Sequence, residues 1–251
     1  MNFWLKNQLS NLRVFFKKYI GTIQKYIAIS GEYIKSFVKF CIKNIRNIIN
    51  SKLYFLFKFF IIKKMQINIM KNTGKIISID ISYERIVKLK KRVSTSGLKN
   101  IWPIVIKNLE DERLIKYFGT ADSVLVDAPC SGLGTLRRNP DLKWRVTESE
   151  ITNFSKNQLK ILTKASSLCK IGGYLVYATC STIYEENEMV VEKFLSNNVN
   201  FDRCCTNSVL EKQNIVLDKS WNVFDSYGNM HLWSDLTDTD SFFMSRFIRT
   251  K

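Results

Sequence analysis

From residue 74 onward, short apolar runs alternate with amphipathic stretches, and this alternation constrains the fold more than any other feature of the chain. The runs are "GKIISID" ending in Asp80, "IWPIVI", "DSVLVD" ending in Asp127, and "YLVYAT" ending in Thr179. Between the first two, "SYERIVKLKKRVSTSG" sets Ile86, Leu89 and Val93 on one helical face, with Gly97 as its stop. "TESE", Thr147 to Glu150, has the form of a capping box. It predicts a helix from there to about Lys170, ended by Gly172 and Gly173. "EENEMVVEKFLSN" predicts a further helix and "DSFFMSRFIR" a closing strand near an edge. The expected fold class is α/β with a mostly parallel sheet.

The first quarter of the chain reads differently. Residues 1–64 carry thirteen Lys/Arg against the single acid Glu32, a net +12 of the whole chain's +17, so the basic character belongs mostly to this segment. Its Lys, Ile, Phe, Tyr and Asn recur at mixed helical spacings, which predicts a basic, apolar, helical segment over 1–64 and a catalytic domain over 65–251. Such charge suits a polyanionic partner, either nucleic acid or an anionic membrane surface. "LYFLFKFFII", residues 53–62, is too short to span a bilayer. Lys6, Arg13, Lys17 and Lys18 interrupt any early apolar core, which argues against a signal peptide.

Six cysteines without a Cys-x-x-Cys pair and a single histidine, His231, support neither a zinc site nor a disulfide framework. No metal is expected, and a reducing, cytoplasmic setting fits. Two cysteines stand apart by context. Cys130 in "DAPCSG" and Cys180 in "ATCS" each follow a predicted strand and each open a Cys-Ser step. In an open parallel sheet, ligands bind at the carboxyl ends of the strands, so Asp80, Asp127, Cys130 and Cys180 share one end. Two thiols there without redox spacing suit covalent catalysis. Asp80 suits the hydroxyls of a ribose, because a carboxylate accepts from two neighbouring OH groups. Cys169, Cys204, Cys205, His231, Trp221 and Trp233 read as packing residues.

"VDAPCSGLGTLRRNPDLKWR" followed by "GGYLVYATCSTIYEENE" closely resembles the Sun/Fmu (RsmB-type) family of S-adenosylmethionine-dependent ribosomal RNA cytosine-5 methyltransferases. The likeness is strong over 120–195, recognisable over 66–119, and returns in "TDTDSFF", where Ser241 replaces the family's glycine. It implies a Rossmann-like methyltransferase core with S-adenosylmethionine as cofactor, RNA as partner and a monomeric state. It also implies that Cys180 attacks carbon 6 of the cytosine, that Cys130 assists loss of the carbon 5 proton and release of product, and that Asp127 hydrogen-bonds the cytosine edge or the cofactor. Asp80 matches the ribose-binding acid. The adenine-side acid falls in "KNLEDE", with Asp111 preferred and Asn108 left open. Arg137, Arg138, Lys143 and Arg145, with Trp144 among them, would contact RNA, and the target base would leave its stack to reach the thiol.

One departure is marked. The family's glycine-rich cofactor loop should precede "MQINIMKNTG", yet no glycine occurs between Gly31 and Gly74. The expectation is a core lacking its first strand and glycine loop. Two further readings follow: an inactive C-terminal remnant that retains RNA binding, and a basic membrane-surface protein based on residues 1–64.

Overall fold

The computed structural model describes residues 53–57 as backbone, and residues 73–208, 217 and 221–251 in full. The runs read as strands form one sheet: β1 (Leu53–Phe57), β2 (Lys75–Asp80), β3 (Ile101–Val105), β4 (Ala121–Asp127), β5 (Cys169–Thr179), β6 (Phe201–Arg203), β7 (Met230–Leu232) and β8 (Phe242–Arg249). The order is β3-β2-β1-β4-β5-β8-β6, with β7 also paired to β8. β1 to β5 run parallel, and β6, β7 and β8 are antiparallel to their neighbours.

The expectation of a missing first strand is corrected. Leu53–Phe57 fills the place between β2 and β4, with Phe57 level with Ile79 on one side and Val126 on the other. Parallel neighbours leave a row of backbone donors and acceptors on each side, and an apolar extended segment between them completes both ladders. The same pairing makes residues 53–57 part of the sheet rather than of a helical segment. The remainder of 1–64, and the position where a glycine loop would follow β1, lie outside the described residues.

The chain runs from β1 outward through β2 to β3, then crosses to β4 and continues to β5 on the other side. The β1/β4 junction is therefore a topological switch point, where loops diverge to leave a crevice. β2 and β4 carry unbroken buried centres, as strands covered on both faces do. Helix α1 (Tyr83–Thr95) starts at the Ser82 cap, buries Ile86 and stops before Gly97. Helix α2 (Glu148–Ser166) opens with the predicted capping box, Thr147 and Glu150 each bonding the other's backbone.

That helix ends at Ser166, short of Lys170. The backbone N–H groups of Gly119, Thr120 and Ala121 take the carbonyls of Ser167 and Leu168, and Cys169 then pairs with Ala121 in the sheet. Gly172 and Gly173 consequently belong to β5, where a Cβ on Gly173 would lie 2.9 Å from the Ala121 oxygen. β8 lies near the edge as expected, one strand in, with β6 and β7 covering the side away from β5. Helix α3 (Glu188–Asn197) buries Val190, Val191 and Phe194 against Phe201 and Phe247. Each such fully buried side chain contributes roughly 1.5–3 kcal/mol, which holds α3 and its preceding turn against the strand that delivers Cys180.

Candidate active site

β4 and β5 are parallel neighbours with Asp127 opposite Ala178, so the chain leaves both at the same level. Ala128 still bonds the Ala178 carbonyl at 3.0 Å. Pro129-Cys130-Ser131 and Thr179-Cys180-Ser181 therefore emerge side by side. Cys130 Sγ lies 3.3 Å from Cys180 Sγ, and Ser131 Oγ lies 3.2 Å from Ser181 Oγ. Two cysteines fifty positions apart in sequence become one thiol pair.

A buried polar cluster lies beneath the pair. Glu186 is 0% exposed, at the end of the turn Tyr184–Glu186. Its carboxylate accepts from Ser131 N at 2.8 Å, Ser131 Oγ at 2.5 Å, Gln158 Nε2 at 3.0 Å and the Ser181 hydroxyl. Gln158 of α2 also donates to the Pro129 carbonyl at 2.9 Å. Tyr177 donates its hydroxyl to the Glu186 carbonyl, and Thr179 donates to Asn187 Oδ1, both at 2.5 Å. Asn187 Nδ2 in turn reaches the Ser181 carbonyl at 2.9 Å. Burying an ionised carboxylate costs several kcal/mol unless donors surround it, and here four do.

Ionisation of Cys130 is tied to its thiol neighbour. Cys130 is pushed far above the usual thiol range by its hydrogen bond to Cys180, by burial, and by the negative charges of Cys180 and Glu186. It stays protonated while Cys180 carries charge. Cys169, fully buried, is pushed up to about 12 by desolvation and is an inert packing residue. Cys204 accepts from Arg246 at 2.9 Å, and Cys205 is exposed rather than packed, in the irregular stretch after β6. His231 is buried, stacked on Trp233 and edge-on to Phe243.

The other predicted residues fall at the same end of the sheet but on different elements. Asp80 ends β2, separated from β4 by β1. Its carboxylate is fixed by Ser82 N at 2.9 Å and by Arg85, whose Nε and an Nη donate at 2.8 Å. Asp111 caps the turn after β3 through the N–H groups of Lys107 and Arg113, and the Arg113 side chain holds its carboxyl well below the usual range. Asn108 in the same turn is exposed and accepts from Glu110 N at 2.9 Å.

The basic loop is stitched to the segment before β8. Gly134 N donates to the Cys180 carbonyl at 2.9 Å and Ser241 N to the Gly134 carbonyl at 2.8 Å. Arg137 pairs with Asp238, Arg138 with Asp240, and Arg145 with Asp141. Lys143 lies over the ring of Trp144, which is 81% exposed. Exposed ion pairs such as these contribute little to stability.

Glu186, Asn187 and Gln158 were not predicted as site residues. The available signal is the repeated Cys-Ser step, which leaves two serine hydroxyls side by side.

The family model for 16S rRNA methyltransferase RsmB/F matches residues 63–248. The chain is similar to the probable ribosomal RNA small subunit methyltransferase B of Bacillus subtilis, 30% identical over 182 residues, covering 70% of this chain and 38% of the relative. It is similar to the 28S rRNA (cytosine(4447)-C(5))-methyltransferase of Homo sapiens, 37% identical over 128 residues, covering 49% of this chain and 15% of the relative. Among solved structures, that of PH0851 is similar at a TM-score of 0.70 and 28% identity, over 83% of this chain and 46% of that one. The chain spans less than half the length of each of these relatives.

Proposed function

The chain belongs to the 16S rRNA methyltransferase RsmB/F family, and on that premise we propose that it methylates carbon 5 of a cytosine in ribosomal RNA. The observation that carries this reading is the thiol pair, Cys130 and Cys180, 3.3 Å apart at the ends of adjacent parallel strands. Carbon 5 of cytosine is a poor nucleophile, and adding a thiolate to carbon 6 makes it an enamine-like carbon able to attack an electrophilic methyl. S-adenosylmethionine, when bound, supplies that methyl as a sulfonium.

Cys180 forms the bond to carbon 6, and Asp127 hydrogen-bonds the cytosine edge, favouring charge on the ring. The pair then reverses its electrostatics. Once the Cys180 sulfur is a neutral thioether, the hydrogen bond and negative charge that hold the Cys130 proton are gone. Cys130 can then ionise and take the carbon 5 proton, after which the sulfur–carbon 6 bond breaks and returns Cys180 as thiolate.

The strand-end carboxylates fit a nucleoside cofactor. Asp80 takes three N–H donors on four lone-pair sites, which leaves one acceptor position for a ribose hydroxyl. The turn holding Asp111 and Asn108 would flank the adenine. Arg137, Arg138, Lys143 and Arg145 would take RNA phosphates, with Trp144 as a stacking surface. Free thiols and a ribosomal substrate suit the cytoplasm, as a monomer without metal. Among the described residues, no helix is long and apolar enough to cross a membrane.

The test is methyl incorporation from labelled S-adenosylmethionine into small-subunit rRNA transcripts. Cys180→Ala should form no covalent RNA adduct on denaturing gels, and Cys130→Ala should accumulate one. Calorimetry that finds no cofactor binding at millimolar concentration, with RNA binding intact, would refute the methyltransferase reading.

A further inference from the structure

Among the described residues Glu186 is a fully buried carboxylate without a basic partner, which calls for an explanation, since an apolar side chain of similar volume often serves a core at lower cost. None of the four donors to Glu186 is a Lys or Arg. Three of the four come from the residues immediately following the two cysteines: Ser131 N, the Ser131 hydroxyl and the Ser181 hydroxyl. One oxygen, Oε2, accepts from both hydroxyls, so a single atom bridges the loop after β4 and the loop after β5. The turn carrying Glu186 is itself tied to β5 by Tyr177 and to Ser181 by Asn187.

Resting on the reading above, we propose that Glu186 is a positioning residue for the reaction: its carboxylate holds Ser131 and Ser181 together and thereby fixes Cys180 against Cys130. Glutamine has nearly the same shape but replaces one acceptor oxygen with an NH2 donor. That donor would face the Ser131 N–H and the Gln158 amide, both donors, or else the two serine hydroxyls. In the first orientation the Ser131 N–H loses its acceptor; in the second the serine hydroxyls must turn from donors to acceptors, leaving a buried O–H without a partner, so either orientation weakens the bridge between the loops.

The test uses the full chain and a readout independent of RNA and cofactor: the rate at which diamide oxidises Cys130 and Cys180 to a disulfide, followed by mass spectrometry of the linked peptides. Glu186→Gln is expected to slow this by tenfold or more, while maleimide labelling of exposed Cys205 is unchanged. In methyl-transfer assays kcat should fall with the KM for RNA unaltered. Ser181→Ala should give a smaller loss in both readouts, and the double variant should be no worse than Glu186→Gln alone. A folded Glu186→Gln protein with the wild-type disulfide rate overturns the proposal, as do strictly additive effects. Should Glu186→Gln fail to fold, a wild-type disulfide rate in Ser181→Ala overturns it equally. A wild-type chain that transfers no methyl group but shows the Glu186→Gln slowing removes the methyltransferase reading and leaves the clamp standing.

Discussion

Replacing Gly134 with alanine should damage the site more than its single methyl suggests. Gly134 is buried between two main-chain segments, donating to the Cys180 carbonyl at 2.9 Å and accepting from Ser241 N at 2.8 Å. A Cβ there would stand 2.4 Å from the Ser241 oxygen, 2.8 Å from the Cys180 oxygen and 3.0 Å from the Cys180 carbonyl carbon. All three are backbone atoms, so no side chain can rotate aside. Ordinary contact begins at 3.4 Å, and the segments must part by about an ångström at the tightest point. Overpacking of this kind costs roughly 1–3 kcal/mol. Weakening one or both hydrogen bonds adds about 0.5–1.5 kcal/mol each. The expected loss of stability is about 2–4 kcal/mol, read from urea denaturation of the wild type and Gly134→Ala. The displaced backbone also carries Cys180, the proposed attacking thiol, and an ångström of misplacement costs on the order of a hundredfold in rate. Single-turnover methylation at saturating RNA should show that drop without a matching change in RNA affinity. A Gly134→Ala protein within about 0.5 kcal/mol of wild type and methylating at the wild-type rate would refute this account of the Gly134 contact.

Cys130 should resist iodoacetamide through the pH range where ordinary thiols ionise, because the Cys180 hydrogen bond, burial and nearby negative charge all raise its pKa. In Cys180→Ser the ionisable partner is gone, so Cys130 labelling should begin at lower pH; identical labelling profiles by peptide mass spectrometry would contradict the coupling. Asp80→Asn removes the carboxylate shared with Arg85, and losing one charge-assisted hydrogen bond to a ribose should weaken S-adenosylmethionine binding by roughly tenfold to hundredfold in calorimetry. Arg137→Ala and Arg138→Ala should each weaken binding of single-stranded rRNA and make its log–log salt dependence shallower by about 0.7 per lost phosphate contact; an unchanged slope would place the phosphates elsewhere.

Much of the strand pattern was legible because it is written locally. β2, β4 and the second half of β5 are short apolar runs that end where Asp80, Asp127 and Thr179 lie. The capping box at Thr147 likewise belongs to adjacent residues and formed as predicted. The helix stops before Lys170 because the carbonyls of Ser167 and Leu168 are taken by residues 119–121, some fifty positions earlier in the chain. The strands β6 and β7 that cover β8 leave no periodic signal in the sequence because they are three residues each.

The sequence by itself determined the two Cys-Ser steps, the strand-end acids and the kind of chemistry they suit, since these depend on residue type and short spacing. Only the tertiary structure decided that the sulfurs stand 3.3 Å apart, that Glu186 joins the loops carrying them, and that Leu53–Phe57 is the first strand. The physical reason is common to all three. A buried carboxylate is tolerable only where donors from distant loops converge on it, and an apolar pentapeptide becomes a central strand only when two parallel neighbours offer it unfilled hydrogen-bonding edges.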